Sequence, residues 1–297
     1  MAAPAAPPNA SLFAAPRPIR QLFKLFPLQV REAEPLPARS PDRPRARAEL
    51  HVFSTDDDAA RGLPSYNPAC LKWQTLLRIA GLQADLVPST NHASPSGALP
   101  FLLLPSSSSS SRPDNIPLAG DRIAQYAREH HPSLAWPDER PLAVARQQAY
   151  ASLLAQSIRP AWLYTLYLDP VHTALLSRLY LPRPPLRDTL LRSLRAAATR
   201  EILQTTRGRV VRPSQVYRDA EAALAALSAL LGDQEWFSGG PSPGPFDADV
   251  FAYTYLIGDD RMGWQDGRLA ECLAGCGNLV GHARRLYERC WGEEGGA

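Results

Sequence analysis

Short alternating and apolar runs occupy the first ordered part of the chain, and apolar residues at helical spacing occupy the rest. Three of the short runs predict strands, at 49–54, 84–87 and 101–104. Between the first two, Cys70, Trp73 and Leu77 recur at the spacing of one helix face. The pattern therefore predicts a β-α-β unit that is followed by a third strand.

The ends of the first long helix carry residues that favour such positions. Asn67 is a preferred N-cap, and Pro68 directly after it suits the first helical position. Gly81 is predicted to end the helix, because glycine is common just beyond a helix. The acidic stretch before the helix, 56–64, is predicted to be a loop.

The small-residue loop 94–100 leads into the third strand. Pro100 suits the first position of a strand, and a sharp turn beside a groove favours a cis bond before it. Six consecutive serines follow at 106–111 and indicate a solvated loop. Residues 115–120 then predict an edge strand, and Asp121 is expected to cap the next helix.

Beyond this point the pattern is helical throughout. One stripe runs at helical spacing through Leu142, Ala145, Ala149, Leu153, Ser157, Ala161 and Thr165. Pro160 interrupts the stripe, so a kink is expected there. Further helices are predicted at 171–180, 187–206, 213–231, 247–257 and 278–291.

These elements predict a thioredoxin-like domain at 49–137, with a serine-rich insertion at 106–112, and an all-helical domain at 138–292. A proline- and arginine-rich extension precedes them at 1–48, and a tail follows at 293–297. The order β-α-β, Leu-Pro, β-β-α and then helices is that of glutathione transferases. The predicted fold class is therefore α/β plus all-α, in the glutathione-transferase-like arrangement.

Charge and composition separate the extension from the rest of the chain. Residues 1–48 hold eight basic and three acidic residues and 10 of the 30 prolines, so no regular domain is expected there. The whole chain has a net charge of only +3, which does not indicate a nucleic-acid partner. No apolar run reaches the ~18–20 residues of a membrane-spanning helix.

Residues that suit glutathione chemistry are few. A transferase needs a Ser, Tyr or Cys at the start of its first long helix to stabilise the thiolate, and Ser65, Tyr66 and Cys70 lie near that place. Ser65 and Tyr66 are interpreted as loop and packing residues, and Cys70 as a core residue. Gly120-Asp121 stands where such enzymes hold the γ-glutamyl end. The chain is therefore expected not to be an enzyme and to need no cofactor.

The four cysteines, Cys70, Cys272, Cys276 and Cys290, are too scattered for a disulfide framework, so reduced structural thiols are expected. Cys272 and Cys276 are spaced to share a helix face. No histidine or further cysteine pair completes a zinc site beside them, so no metal is expected.

Three segments resemble the metaxin family: 64–78 its first-helix segment, 94–100 its S-P-S-G-x-L-P loop, and 246–253 its D-A-x-V-F segment. The motif positions are Pro68, Ser96, Gly97, Leu99, Pro100 and Asp247. The resemblance covers about 49–290. It implies that Asp247 is the third residue of a buried helix whose cap is Gly244, so that only half of a capping box is present.

The resemblance implies a peripheral subunit of the mitochondrial sorting and assembly machinery, of the tail-less type and fungal in style. Such a subunit lies on the cytosolic face of the outer membrane, beside a membrane-embedded β-barrel subunit and a second metaxin-like subunit. It helps to capture the β-signal of β-barrel precursors. The alternatives are an active glutathione transferase and a transferase-like assembly module of a translation complex.

Within the extension, residues 19–28 form an apolar segment, called the anchor segment below. Its large apolar residues are Leu22, Phe23, Leu25, Phe26 and Leu28. Each costs ~1.5–3 kcal/mol when left in water instead of being buried. We expect this segment to dock into a groove on a partner subunit or on the barrel. A cleavable targeting peptide and a disordered tail are the alternatives.

Overall fold

The computed structural model describes residues 45–106, 116–131, 136, 148–181 and 187–292. The anchor segment 19–28 lies outside the described residues, and so do most of the serine-rich insertion and the tail 293–297. Partner binding by the anchor segment therefore stays a prediction, and so do the limits of the two domains. The residues concerned are Leu22, Phe23, Leu25, Phe26 and Leu28.

The sheet of the described part has three strands, β1 at Ala48–Val52, β2 at Ala84–Pro88 and β3 at Phe101–Leu103. The middle strand, β1, runs parallel to β2 and antiparallel to β3. Its Leu50 stands opposite Leu86 on one side and Leu102 on the other. The three predicted strands are confirmed to within two residues at their ends.

The edge strand predicted at 115–120 is wrong. From residue 116 onward this segment makes one bridge, in which Leu118 and Leu102 exchange two backbone hydrogen bonds of 2.8 Å. Gly120 is the next residue that could pair, and it has a φ of 55°. Its place in the register lies opposite Pro100, which has no N–H to donate. The ladder therefore stops after a single pair.

Three helices belong to this first part of the fold: α1 at Asp56–Ala60, α2 at Pro68–Ile79 and α3 at Asp121–His130. The start of α2 is confirmed, because the Asn67 side chain accepts hydrogen bonds from the N–H groups of Ala69 and Cys70. The prediction of a loop throughout 56–64 is wrong. The Thr55 hydroxyl caps α1 by accepting from the Asp58 N–H at 3.1 Å, and acidic residues in a first turn stabilise the helix.

The prediction that Asp121 caps α3 is also wrong. Gly120 is the N-cap and makes no side-chain cap bond, while Asp121 is the first residue inside the helix. The φ of 55° at Gly120 is open to glycine and costly for other residues, so the chain turns into the helix one residue earlier. The Asp121 carboxylate still lies in the first turn, where the helix dipole favours it.

Helices make up the remaining described chain: α4 at 148–168, α5 at Thr173–Tyr180, α6 at Arg187–Thr206, α7 at Pro213–Leu231, α8 at Pro245–Gly258, α9 at Arg268–Ala274 and α10 at Gly277–Trp291. The predicted limits of α6 and α7 are confirmed. The short helix α9 was not predicted, because its seven residues between two glycines are too few for a periodic pattern. Since α9 ends before Gly275, Cys272 and Cys276 do not share a helix.

Helix α4 contains two π turns, at Leu154–Ile158 and Tyr164–Leu168. The first ends just before Pro160, and the Arg159 N–H reaches back to the Leu154 carbonyl. A π turn at this place fits a proline that cannot donate to the preceding turn. Leu154 and Ile158 are buried in place of the predicted Leu153 and Ser157, whereas Ala161 and Thr165 are buried as predicted.

Two apolar clusters form the core. One lies around the sheet and includes Leu50, Leu77 and Leu102, and the other runs through the helices. Helix α2 also packs against α8, where Lys72 pairs with Asp249 at 2.7 Å. The architecture confirms the predicted fold class, a thioredoxin-like part with a small sheet followed by a helical part. None of the helices in the described ranges combines the length and the apolar character needed to cross a bilayer.

Candidate functional site

The amino end of α2, the loop before β3 and the start of α3 are the candidate site that the sequence predicts. The loop is held by several short contacts. The Leu99 N–H donates to the Asn91 side-chain oxygen at 3.0 Å, and the peptide bond between Leu99 and Pro100 is cis. The Ser96 and Ser94 hydroxyls lie 3.0 Å apart, and Gly97 has a φ of 77°, which favours glycine. These motif residues shape the loop.

Ser65 lies directly before α2 and is buried. Its hydroxyl donates to the Phe53 carbonyl oxygen at 2.6 Å, and its N–H donates to the Gln74 side-chain oxygen at 2.8 Å. Both polar groups therefore join β1 and α2, and Ser65 lies in a loop, as predicted.

Tyr66 joins the two parts of the fold. Its hydroxyl donates to the Leu179 carbonyl oxygen in α5 at 2.7 Å, and its ring meets the edge of Tyr180 at a centroid distance of 5.5 Å. Burial is the main cause that raises the pKa of Tyr66 above its usual value. The phenol therefore stays protonated at neutral pH and acts as a hydrogen-bond donor.

Cys70 lies in the first turn of α2 but faces the core. Its side chain is fully buried, and burial raises the pKa of the thiol to about 12. The thiol is therefore protonated at neutral pH and a poor nucleophile in the folded protein. The interpretation of Cys70 as a core residue is confirmed.

An aromatic group under the amino end of α2 was missed by sequence reasoning. Tyr180 packs against Phe53 and Tyr167 with centroid distances of 5.1 and 5.7 Å, and its hydroxyl accepts from the Asn67 amide at 2.9 Å. Burial raises the pKa of Tyr180 well above its usual value. No local signal could find this group, because Phe53 and Asn67 lie 100 or more residues before Tyr167 and Tyr180.

Asp247 is the third residue of the buried helix α8, and its predicted place is therefore confirmed. One carboxylate oxygen accepts from the N–H of its cap, Gly244, at 2.8 Å. The other accepts from the Phe237 N–H and from the His282 ring, both at 2.9 Å. Glycine has no side chain to return the first bond, so the capping box is half present. His282 was not predicted, and its partnership follows only from the packing of α8 against α10.

The chemistry open to this region is limited by these contacts. Ser65 and Tyr66 each donate a hydroxyl hydrogen to a backbone carbonyl, and Cys70 is enclosed by the core. Groups of three or more metal-ligating side chains do not occur within the described ranges.

Two family models match the chain. The model of the glutathione S-transferase N-terminal domain matches residues 68–172, and the model of the glutathione S-transferase C-terminal domain matches residues 220–286. Together they span both parts of the fold in the predicted order. No curated protein matches the chain.

Solved structures show the same likeness in fold. A glutathione S-transferase from Methylobacterium radiotolerans, in complex with glutathione sulfonate, is 19% identical over 84% of this chain and 94% of its own, with a TM-score of 0.48. A family member from Pseudomonas fluorescens with two glutathione molecules bound is 14% identical over 92% of this chain and 96% of its own, also with a TM-score of 0.48. At these identities the likeness concerns the fold alone.

The prediction that the chain is not an enzyme is wrong as an exclusion. Both matching domain models are those of glutathione S-transferases. Glutathione chemistry therefore stands among the candidate functions.

Proposed function

Because the chain is a glutathione S-transferase-like protein that also carries the three metaxin-like segments, we propose that it is a peripheral subunit of the mitochondrial sorting and assembly machinery. In this proposal it lies on the cytosolic face of the outer membrane. Its partners are the membrane-embedded β-barrel subunit, a second metaxin-like subunit and the β-signal of β-barrel precursors.

The positions of the metaxin-like segments in the fold support this proposal. The first begins α2, the second shapes the loop into β3, and the third holds the start of α8 through Asp247. The three segments thus lie at the ends of helices and strands in both parts of the fold. A binding subunit needs a framework, because a docking surface must be held in one shape.

The observation that carries the proposal is the hydrogen bond from the Tyr66 hydroxyl to the Leu179 carbonyl oxygen. This hydroxyl, at the place where a transferase meets its thiol substrate, braces α2 against the Leu179 carbonyl of the helical part. This bond spans 113 positions of sequence and fixes the two parts together. The brace supports an assembly role.

The test is the isolation of the tagged full chain from mitochondria in mild detergent, with identification of its stable partners. The proposal predicts the barrel subunit and a second metaxin-like subunit in the isolate. It also predicts extraction of the chain from membranes by carbonate at high pH, as for a subunit held by protein contacts. Recovery of the chain with neither partner would contradict the proposal.

Glutathione conjugation is the second candidate function, and the two glutathione S-transferase domain models favour it. Ser65 and Tyr66 are the hydroxyls nearest to the expected thiol position. The test is turnover of glutathione with a chloro-dinitro aromatic substrate by the purified chain. Turnover that disappears in Ser65→Ala or Tyr66→Phe would establish this function, and absence of turnover in the wild type would refute it.

A further inference from the structure

A cavity of about 260 Å³ lies at the opposite end of α2 from Ser65 and Tyr66. Its walls come from the carboxyl end of α2, the start of β2 and the carboxyl end of α10. Arg47, Arg78 and Arg289 line it together with one carboxylate, Asp85, while Leu50 and Leu77 lie at its apolar side. Three arginines from distant parts of the sequence thus line one cavity.

Arg78 is the most buried of the three arginines. It donates to the Cys290 carbonyl oxygen at 2.6 Å and to the Gly62 carbonyl oxygen at 2.8 Å, and its guanidinium lies 4.9 Å from the Trp291 ring centre. These partners are uncharged. Within the described part of the chain, no carboxylate forms an ion pair with Arg78.

The charge around the cavity is positive. Arg47 Nη1 lies 3.9 Å from Asp85 Oδ1. Both side chains are more than 60% exposed, so this ion pair is weak. The carboxyl end of α10 supplies about half a negative charge near Arg78. One carboxylate and the carboxyl ends of α2 and α10, at about half a negative charge each, leave about one positive charge of the three arginines uncompensated. Burial lowers the pKa of Arg78, as expected for a cation without an anionic partner.

We propose that this cavity binds a small anion that carries a phosphate group. Arginine is suited to this role because its planar fork of N–H groups matches the oxygens of phosphate. The cavity is smaller than the ~300–1,000 Å³ of sites for drug-sized ligands, which favours a phosphate group with a short organic part. A free phosphate ester and the headgroup of a membrane lipid share this chemistry.

The experiment is titration of the full chain with inorganic phosphate at constant ionic strength, followed by calorimetry. We expect saturable binding of one phosphate. The double variant Arg47→Gln/Arg289→Gln removes two guanidinium groups and is expected to weaken binding at least about tenfold. Asp85→Asn removes the one carboxylate and is expected to tighten binding several-fold. These side chains are exposed enough that the variants should fold, which far-ultraviolet circular dichroism checks.

Arg284→Gln is the matched control. Arg284 lies on the same helix, α10, and is 77% exposed in a pair with Glu288, away from the cavity lining. We expect phosphate binding by this variant to equal that of the wild type. No saturable binding by the wild type, or equal losses in the control and the double variant, would overturn the proposal.

Two further arms identify the source of the anion. Glycerol phosphate in solution and vesicles that contain phosphatidic acid are compared with inorganic phosphate. Competition by glycerol phosphate supports a free ester, and binding to the vesicles that depends on Arg47 and Arg289 supports a lipid headgroup. Phosphate binding that arises only in Glu293→Gln/Glu294→Gln would show that carboxylates of the chain itself fill the cavity, and the proposal would be wrong.

Discussion

The Asp247 carboxylate joins three segments of the helical part. Its two oxygens accept from the Gly244 N–H, the Phe237 N–H and the His282 ring at 2.8–2.9 Å, and both Asp247 and His282 are fully buried. Asp247→Ala deprives all three donors of their acceptor. Each unsatisfied buried donor costs about 1–3 kcal/mol, and three donors lose their acceptor in this variant. We therefore expect the free energy of unfolding to fall by about 3–5 kcal/mol.

The assay is urea unfolding followed by tryptophan fluorescence, since Trp236 lies 5.6 Å from the His282 ring centre. Asp233→Ala is the control, because Asp233 is exposed, and it should change stability by less than about 0.5 kcal/mol. His282→Ala combined with Asp247→Ala should cost less than the sum of the two single variants, since they share a contact. A loss below about 1 kcal/mol for Asp247→Ala would refute the reasoning.

Three further predictions concern Tyr66, Cys70 and the anchor segment. Tyr66→Phe should lower the free energy of unfolding by about 1 kcal/mol, because the Leu179 carbonyl loses its donor; an unchanged urea midpoint would contradict the brace. Cys70 should make stability fall as pH rises from about 9 to about 12, because the thiol ionises first in the unfolded chain; Cys70→Ala should flatten this fall, and an equal fall in both proteins would contradict it. Phe23→Ala/Phe26→Ala should weaken assembly with partner subunits without changing the circular dichroism of the core. Normal assembly of this variant would show that the anchor segment does not dock on a partner.

Local signals in the sequence predict the limits of an element correctly where those limits depend on neighbouring residues. Asn67 followed by Pro68 defines the start of α2 because an N-cap and its first helical residue interact within one turn. The limits of α6 and α7 follow likewise from long periodic patterns. The single bridge at Leu118 differs from the predicted strand because it depends on the φ of Gly120 and on Pro100, 20 residues earlier.

The candidate site was less predictable because its contacts are distant in sequence. The sequence shows that Tyr66 lies before α2, but the carbonyl that it binds belongs to Leu179, and the ring that it meets belongs to Tyr180. The partnership of Asp247 with His282 likewise depends on how α8 packs against α10. Periodicity identifies which face of a helix is buried and not which helix covers it.

Assembly of a radiolabelled β-barrel precursor in isolated mitochondria that lack this chain tests the proposed function most directly. The proposal predicts that the precursor reaches the mitochondria but fails to enter its mature outer-membrane complex, while import of a matrix protein proceeds at the normal rate. Re-expression of the full chain should restore assembly. Normal assembly of the β-barrel precursor in mitochondria without the chain would contradict the proposal.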